Sequence, residues 1–246
     1  MGVVETLLGN LTADAPIRQV LVGAYWTAVV LDTEVPRCGL ASTLRGISHE
    51  LGLPVARAGS LLQYSGLELA AWLRSDSIAE TSIGMAAFNA LLEVDESACE
   101  EINAAEVILR RSAGRRVAIV GHFPFVEQVR EAAAECSVVE MEPRTGDLPA
   151  KLAADVLPRA DLVALTGTSL LNHTFDGLID LCRPDAFVIL LGASAPLSPL
   201  LFKHRVDAIS GTRVTDVPAA LQAISQGATF RQIPGKRLLT MARPRS

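Results

Sequence analysis

The sequence RVAIVGHFPF at residues 116–125 decides the fold, because a run of valine and isoleucine ends at a glycine and a helical segment follows. The same order recurs along the rest of the chain, where short apolar runs alternate with segments of helical periodicity. The predicted strands are residues 116–120, 137–141, 161–165, 186–191 and 206–210. Strands and helices that alternate in this way form right-handed βαβ units around a parallel sheet. Residues from about Cys99 onward are therefore predicted to form a Rossmann-like α/β domain.

The segments between and after these strands are predicted to be helical. Helices are expected at residues 123–134, 151–157, 169–182, 196–203 and 217–225. Pro124 and Pro196 suit the first position of a helix, where a proline removes an amide hydrogen that has no partner within the helix. The segment after Gly227 ends in arginine and proline and is expected to be partly frayed.

The first half of the chain is predicted to be an α+β unit of strands followed by helices. Strands are expected at residues 17–23, 25–32 and 39–44, and helices at residues 65–73 and 77–92. Ser77 and Glu80 have the spacing of a capping box at the start of the second helix. The acidic stretch at residues 93–98 is the candidate linker, which divides the chain into domains at residues 1–95 and 96–246.

Composition and charge narrow the class of protein. Half of the 246 residues are apolar and a fifth are charged, a balance that favours a packed core over disorder. A net charge of −5 and an aromatic content of 4% disfavour nucleic acid as a partner. The apolar run at residues 19–31 is too short to span a membrane, and residues 1–10 lack the features of a signal peptide. Four widely spaced cysteines predict reduced thiols in a cytoplasmic protein. The oligomeric state is left open by the sequence, and a homodimer is the commonest oligomer among soluble proteins.

The loop after the first strand of the α/β half is the first candidate site, because ligands of open parallel sheets bind beyond the carboxyl ends of the strands. Gly121 permits a tight turn, and the amides of the following helix start are able to hold an anion. His122 is interpreted as a ligand, a proton carrier or a hydrogen-bond donor, with a residue that caps its own loop as the alternative. The loop lacks the G-x-G-x-x-G pattern, so a nicotinamide or flavin dinucleotide is not predicted.

An acidic residue marks the end of the second strand. Glu140 follows Gly121 by 19 residues, at the place where Rossmann-type proteins bind ribose hydroxyls. An exposed acid on a solvated loop is an equally good interpretation. Asp147, which lies shortly before the next helix, is expected to cap that helix.

The third strand leads into a cluster of small polar residues, Thr166, Gly167, Thr168 and Ser169, with Asn172 on the helix that follows. Hydroxyl groups and backbone amides at a strand–helix junction suit a phosphate or a carboxylate. Ordinary N-capping by Thr168 or Ser169 is the alternative, and binding is preferred because several polar groups concentrate here.

The loop after the fourth strand reads GASAP at residues 192–196, where Ser194 is either a binding hydroxyl or a helix cap. A G-x-S-x-G elbow is missing, so a hydrolase serine is not indicated. The sequence also lacks the H-x-x-x-H, H-E-x-x-H and clustered-cysteine patterns of metal centres. A metal held by the protein would need ligands from distant loops, for example His122 and Glu140.

Taken in order, these motifs resemble the putative heavy-metal chelation family, a family of unknown function in anaerobic bacteria and archaea. The residues that carry the resemblance are Gly39-Leu40-Ala41-Ser42-Thr43, Asn89-Ala90, Gly121-His122-Phe123-Pro124-Phe125, Glu140, Gly146-Asp147-Leu148-Pro149, Thr166-Gly167-Thr168 with Asn172 and Thr174, Gly192-Ala193-Ser194-Ala195-Pro196, Gly211 and Asp216. Two positions depart from the family's pattern. Ala193 replaces the usual proline of a Gly-Pro-Ser loop, and Glu142 stands where asparagine is more usual.

The resemblance implies an enolase-N-terminal-like domain followed by a Rossmann-like domain, with the site in the cleft between them. It further implies a ligand that is pterin-like, flavin-like or otherwise metal-chelating, such as a siderophore. Thr43 and Asn89 would line the cleft from the first domain.

The leading hypothesis is a cytoplasmic protein that binds a small polar, metal-chelating molecule in this cleft. The predicted site residues are Thr43, Asn89, Gly121, His122, Glu140, Thr166, Gly167, Thr168, Asn172 and Ser194. One alternative is a transferase that uses a nucleoside-type cofactor such as S-adenosylmethionine, with Glu140 on the ribose, although the first loop lacks a glycine-rich turn. Another is a metal carrier without catalysis. The sequence leaves open whether the protein is an enzyme, with His122 as its acid or base, and whether a metal ion binds.

Overall fold

The structure is a computed structural model that describes residues 1–44 and 54–244. A small antiparallel sheet in the order β1-β2-β3 forms its first part. Its elements are α1 (Val3–Leu8), β1 (Ile17–Val22), β2 (Trp26–Leu31), β3 (Arg37–Ser42), α2 (Gly66–Ala70) and α3 (Ile78–Leu91). Helix α3 is buried along most of its length because its sequence is almost entirely apolar or small, and it packs against β2 and β3.

The second part is an eight-stranded sheet. Its strands are β4 (Cys99–Glu100), β5 (Arg116–Val120), β6 (Glu135–Glu140), β7 (Leu148–Pro149), β8 (Leu162–Thr166), β9 (Phe187–Leu191), β10 (Ala208–Val214) and β11 (Lys236–Ala242). Its helices are α4 (Ala104–Ser112), α5 (Val126–Ala132), α6 (Ala153–Val156), α7 (Thr168–Leu171), α8 (Phe175–Leu181) and α9 (Val217–Ser225). The predicted α/β fold class is confirmed.

The order of strands in the large sheet is β4-β11-β10-β9-β8-β5-β6-β7. The six strands from β5 to β10 are mutually parallel, and their order across the sheet is the doubly wound 3-2-1-4-5-6 arrangement. In this arrangement the order reverses between β5 and β8. A crevice opens at that reversal because the connections from the two strands leave in opposite directions.

The prediction of a frayed tail after Gly227 is wrong. Residues 236–242 form β11, which pairs antiparallel with all seven residues of β10. Leu239 and Met241 are buried, and the Thr240 hydroxyl lies 2.6 Å from that of Ser210. The apolar residues of this segment, Leu238, Leu239 and Met241, belong to a strand. The Arg-Pro-Arg sequence at the end of the chain, which suggested fraying, follows that strand at residues 243–245.

One predicted helix is divided into two in the structure. The single helix expected at residues 169–182 is split into α7 and α8, because the Asn172 side chain accepts hydrogen bonds from the backbone and hydroxyl of Thr174. Asn side chains that bond nearby backbone in this way compete with the helix, and His173 takes a positive φ of 58° at the break.

Neither predicted N-terminal proline begins a helix. Pro124 lies in a turn that closes with a hydrogen bond from the Val126 amide to the Phe123 carbonyl, and α5 begins at Val126. Pro196 precedes a short 3-10 helix that begins instead at Pro199. Both prolines thus lie in the connecting segment ahead of the helix.

The capping box predicted at Ser77 is also wrong. The Ser77 hydroxyl donates to the Pro54 carbonyl, and Glu80 accepts from the Ala56 amide and the Ser75 hydroxyl. A capping box does occur at the start of α2, where Ser65 and Glu68 bond each other's backbone amides.

The two sheets share buried contacts. Apolar side chains of α3, including Ala86 and Phe88, belong to the same cluster as Leu170 and Leu171 of α7. The acidic segment at residues 93–98 is tied to the large sheet, since Glu96 pairs with Arg237 of β11 at 2.6 Å. The division of the chain at residue 95 stays a prediction. Within the described ranges, none of the helices has the length and apolar character needed to cross a membrane.

Candidate functional site

A cavity of about 1020 Å³ lies at the carboxyl ends of β5, β6, β8 and β9, and the small sheet contributes to its wall. Trp26, Ser42 and Leu44 line it from the β2–β3 side. The start of α4, the middle of β10 and residues 229–231 also contribute to the wall. From the loops of the large sheet, the lining includes Gly121, His122, Phe123, Phe125, Glu140, Met141, Thr166, Thr168, Asn172, Gly192 and Ala193.

Gly121 and Thr166 meet at the point where the strand order reverses. Gly121 has a φ of +101°, which favours glycine. A β-carbon at this position would lie 3.1 Å from the Thr166 β-carbon. The absence of a side chain therefore lets the loops after β5 and β8 approach closely at the floor of the cavity.

Glu140 organises the loop after β5. Its Oε2 accepts a hydrogen bond from the His122 amide at 2.8 Å, and its Oε1 accepts one from the Met141 amide at 2.8 Å. Each carboxylate oxygen keeps capacity for a second donor. Glu140 therefore lies in the predicted position and also fixes the backbone of His122.

The imidazole of His122 is held by Asp147, and the predicted role of Asp147 as a helix cap is wrong. His122 Nδ1 lies 2.8 Å from Asp147 Oδ2, and the Asp147 side chain is fully buried. The same carboxylate accepts hydrogen bonds from the Arg144 amide at 3.2 Å and from Arg130 Nη2 at 3.3 Å. The loop between β6 and β7 thus brings the Asp147 carboxylate back toward the end of β5. The carboxylate therefore does not cap the helix predicted at residues 151–157.

The Asp147 carboxyl group is stabilised in its charged form. Burial alone raises the pKa of Asp147, but the hydrogen bonds from His122 and the Arg144 amide, together with the charge of Arg130, outweigh it. The pKa therefore lies below its ordinary value. An ionised carboxylate only accepts hydrogen bonds, so Asp147 acts as the acceptor in its contact with His122 Nδ1.

The hydroxyl cluster after β8 also lies at the cavity. The Thr166 and Thr168 hydroxyls are 3.0 Å apart, and the Thr168 amide donates to Thr166 Oγ1 at 3.3 Å. Asn172 directs its Nδ2 toward the sulfur of Met141 at 3.6 Å, which connects the loops after β6 and β8.

Four predicted site residues lie outside the cavity lining. Thr43 pairs its hydroxyl with that of Thr27 at 2.9 Å. Asn89 donates to the Leu40 carbonyl at 2.9 Å and the Ala193 carbonyl at 3.3 Å. A β-carbon on Gly167 would lie 2.5 Å from the Ala195 amide nitrogen. Ser194, the fourth, joins the two sheets.

Replacing Ser194 with alanine is expected to lower stability. Its buried Oγ accepts a hydrogen bond from the Ser42 amide at 2.8 Å and lies 3.2 Å from the Ser42 hydroxyl. Loss of that acceptor leaves a partly buried amide unpaired, which costs about 1–3 kcal/mol. Urea denaturation measures the change. Ser225→Ala on the exposed face of α9 is the control, with an expected effect within about 0.5 kcal/mol, and equal effects of the two variants would contradict this role.

Aromatic residues of the cavity wall were missed by sequence reasoning. The Phe123 and Phe125 rings stack at 5.3 Å with 9° between their planes. Trp26 and Phe230, which also line the cavity, have ring centroids 5.2 Å apart. Trp26 Nε1 is buried and has no hydrogen-bond partner within residues 1–44 and 54–244. The sequence signal for the first pair is the F-P-F spacing, whereas nothing local marks Trp26 and Phe230 as neighbours.

The cysteines are free thiols dispersed through the fold. Burial raises the pKa of Cys38 to about 12, and it raises the pKa of Cys136 and Cys182 to about 11. A thiol of this kind is protonated at neutral pH and is a poor metal ligand. In the part of the chain that the structure describes, no three His, Cys, Asp or Glu side chains come together as a metal-binding group.

Comparisons of the sequence agree with this architecture. Two family profiles, both described as putative heavy-metal chelation, match residues 4–92 and 103–243. The second covers more than half of the chain. The chain belongs to the putative heavy-metal chelation family.

One relative is described as an uncharacterised protein, and two similar solved structures are described as proteins of unknown function. A protein of Methanocaldococcus jannaschii is 32% identical over 154 residues, and the match spans 60% of this chain and 60% of that protein. A crystal structure of a protein of unknown function from Desulfitobacterium hafniense DCB-2 superposes with a TM-score of 0.85 at 22% identity, over 98% of both chains. One from Pyrococcus horikoshii gives 0.83 at 20% identity, over 98% of this chain and 99% of that one. At these identities the two structures establish a shared fold.

Proposed function

We propose that this protein binds a small polar, metal-chelating molecule in the cavity between its two sheets, in the cytoplasm. The observation that carries the proposal is the convergence of polar groups on the strand-order reversal. Gly121, His122, Glu140, Thr166, Thr168 and Asn172 come from three separate loops and all line one cavity. Open parallel sheets bind their ligands at this place.

The size and lining of the cavity suit an organic ligand. Small-molecule sites typically enclose about 300–1,000 Å³ and combine apolar walls with a few placed polar groups. The volume of about 1020 Å³ reaches the upper end of that range. The Phe123–Phe125 pair and the Trp26–Phe230 pair supply aromatic faces against which a planar ring can stack. A pterin, a flavin-like ring or a catecholate chelator has such a ring.

A chelate also suits the kind of polar groups that are present. The chelator supplies the ligands of its own metal, so the protein needs to recognise the chelator rather than surround the ion. The hydroxyls of Thr166 and Thr168, the Asn172 amide and His122 Nε2 offer both donors and acceptors for this purpose.

Titration calorimetry with a fixed set of probes tests the proposal. The probes are biopterin, riboflavin, the iron(III) complex of 2,3-dihydroxybenzoate, S-adenosylmethionine and its demethylated product. Saturable binding is expected for at least one of the first three. His122→Ala is expected to weaken it by at least about tenfold, equivalent to about 1.4 kcal/mol, because His122 lines the cavity.

His173→Ala is the matched control, since His173 is exposed and lies outside the cavity lining. Unchanged affinity of His122→Ala would show that the site has been misplaced. If only S-adenosylmethionine or its demethylated product binds, the result would replace the proposal with the transferase alternative, in which Glu140 binds the ribose.

A further inference from the structure

Hydrogen bonds fix both the backbone amide and the imidazole ring of His122. Its backbone amide donates to Glu140 at 2.8 Å, and its ring lies 2.8 Å from the carboxylate of Asp147, whose side chain is fully buried. Its side chain is still 19% exposed, at the cavity. Within residues 1–44 and 54–244, Nε2 has no hydrogen-bond partner, so one ring nitrogen remains for a ligand.

We propose that His122 and Asp147 form a proton-accepting pair, in which His122 Nε2 takes a proton from a hydroxyl group of the bound molecule. The inference rests on the proposed function, because it needs a small molecule in the cavity. It assigns a reaction class, proton abstraction from a weakly acidic phenol or enol, and it makes Asp147 a positioning residue.

The proton balance of this step is complete within the site. The Nδ1 proton points to Asp147 Oδ2, which leaves the lone pair of Nε2 for the ligand. The ligand O–H bond breaks, its proton moves to Nε2, and the electron pair stays on the ligand oxygen. The imidazolium that forms is stabilised by the Asp147 carboxylate, as in other sites where a buried carboxylate orients a histidine.

Neighbouring groups donate hydrogen bonds to the Asp147 carboxylate and are available to donate to the oxyanion of the ligand. Arg130 and the Arg144 amide hold the Asp147 carboxylate in place. On the ligand side, the Thr166 and Thr168 hydroxyls have two protons between them, and their mutual hydrogen bond uses one. The other is free to donate to the oxyanion of the ligand. Phenols and enols become good metal chelators only after they lose this proton.

Nitrogen-detected NMR of the histidine rings tests the pair without any ligand. The chain has four histidines, so His122→Gln identifies the signal of His122 by its loss. The wild-type signal is expected to report the tautomer protonated on Nδ1. Asp147→Asn, which keeps the shape but removes the charge, is expected to abolish that single-tautomer signature, whereas Asp155→Asn on the exposed face of α6 leaves it unchanged.

A purely structural role of Asp147 would not change the tautomer of a folded variant, and circular dichroism checks that each variant is folded. Protonation of wild-type His122 on Nε2, or an identical tautomer in folded Asp147→Asn, would overturn the inference. Should Asp147→Asn not fold, Arg130→Gln provides the second variant. It keeps the carboxylate, so the Nδ1 tautomer is expected to persist, and its loss would count against the pair.

The second readout is the ionisation of 4-nitrophenol, whose phenolate is yellow. At a pH where the free probe is mostly neutral, the wild-type protein is expected to bind it as the phenolate. The bound phenolate fraction is expected to fall about tenfold in Asp147→Asn. A bound probe that stays neutral, or equal ionisation in both proteins, overturns the inference. If the NMR spectrum shows the expected tautomer but neither 4-nitrophenol nor any of the calorimetric probes binds saturably, the proposed function is contradicted instead. Failure of the inference and failure of the proposed function are therefore distinguishable.

Discussion

Gly39→Ala is expected to lower the free energy of unfolding by about 3 kcal/mol, the upper part of the range for overpacked cores. A β-carbon at Gly39 would lie 2.1 Å from the Ala86 carbonyl oxygen and 2.3 Å from the Ala90 amide nitrogen. Both are backbone atoms of α3, so no change of rotamer relieves the overlap. The helix must move away from β3, and its contacts with β2 and α7 are disturbed as well.

Urea denaturation followed by circular dichroism measures this change. Gly177→Ala is the matched control, because Gly177 lies in α8 with open space around its α-carbon. Alanine is favoured over glycine within a helix, so this variant is expected to gain about 0.5–1 kcal/mol. A Gly39→Ala protein as stable as the wild type would mean that the small sheet and α3 are not in the contact described.

Gly167→Ala is expected to cost about 2–3 kcal/mol, and also to disturb the site. Its φ of −60° suits alanine, so the effect comes from packing alone. A β-carbon would lie 2.5 Å from the Ala195 amide nitrogen and 2.7 Å from the Ser194 carbonyl carbon. The loop after β8 would be pushed off the loop after β9, and the adjacent Thr166 and Thr168 hydroxyls would be displaced from the cavity.

Two measurements on Gly167→Ala separate packing from binding. Denaturation gives the loss of stability, and calorimetry with whichever probe binds the wild type gives the loss of affinity, which is expected to exceed tenfold. Gly177→Ala again serves as the control for both. Full affinity in a destabilised Gly167→Ala protein would place the ligand away from the Thr166–Thr168 hydroxyls.

Much of the fold could be predicted from the sequence because its signals are local. The runs at residues 116–120 and 186–191 are too short and too apolar for exposed helices, and their alternation with helical segments specifies parallel strands. The strand β11 was missed because the Arg-Pro-Arg sequence that follows it, at residues 243–245, suggested a loose tail. Its stability comes from pairing with β10, a non-local interaction.

Part of the lining of the candidate site was predictable, where topology alone determines it. The loops at Gly121, Glu140 and Thr166 were located by the rule that ligands bind at the carboxyl ends of strands. The hydrogen bond between His122 and Asp147 was not predicted, because the two residues are 25 positions apart in the chain. A capping role explains an aspartate before a helix equally well. Trp26 and Phe230 are more than two hundred residues apart in the chain, and only the docking of the two sheets makes them neighbours.

The occupancy of the cavity is the central claim, and native mass spectrometry with elemental analysis tests it most directly. The protein is purified without metal-affinity resin, beside two variants. Ala105→Trp places a large ring at the cavity wall, and Ala132→Trp places the same ring on the exposed face of α5, outside the lining. We predict one equivalent of a small chelating molecule, with or without its metal, on the wild type and on Ala132→Trp and none on Ala105→Trp. A wild-type protein free of any such molecule, or one that binds it equally when Ala105 is tryptophan, would contradict the account.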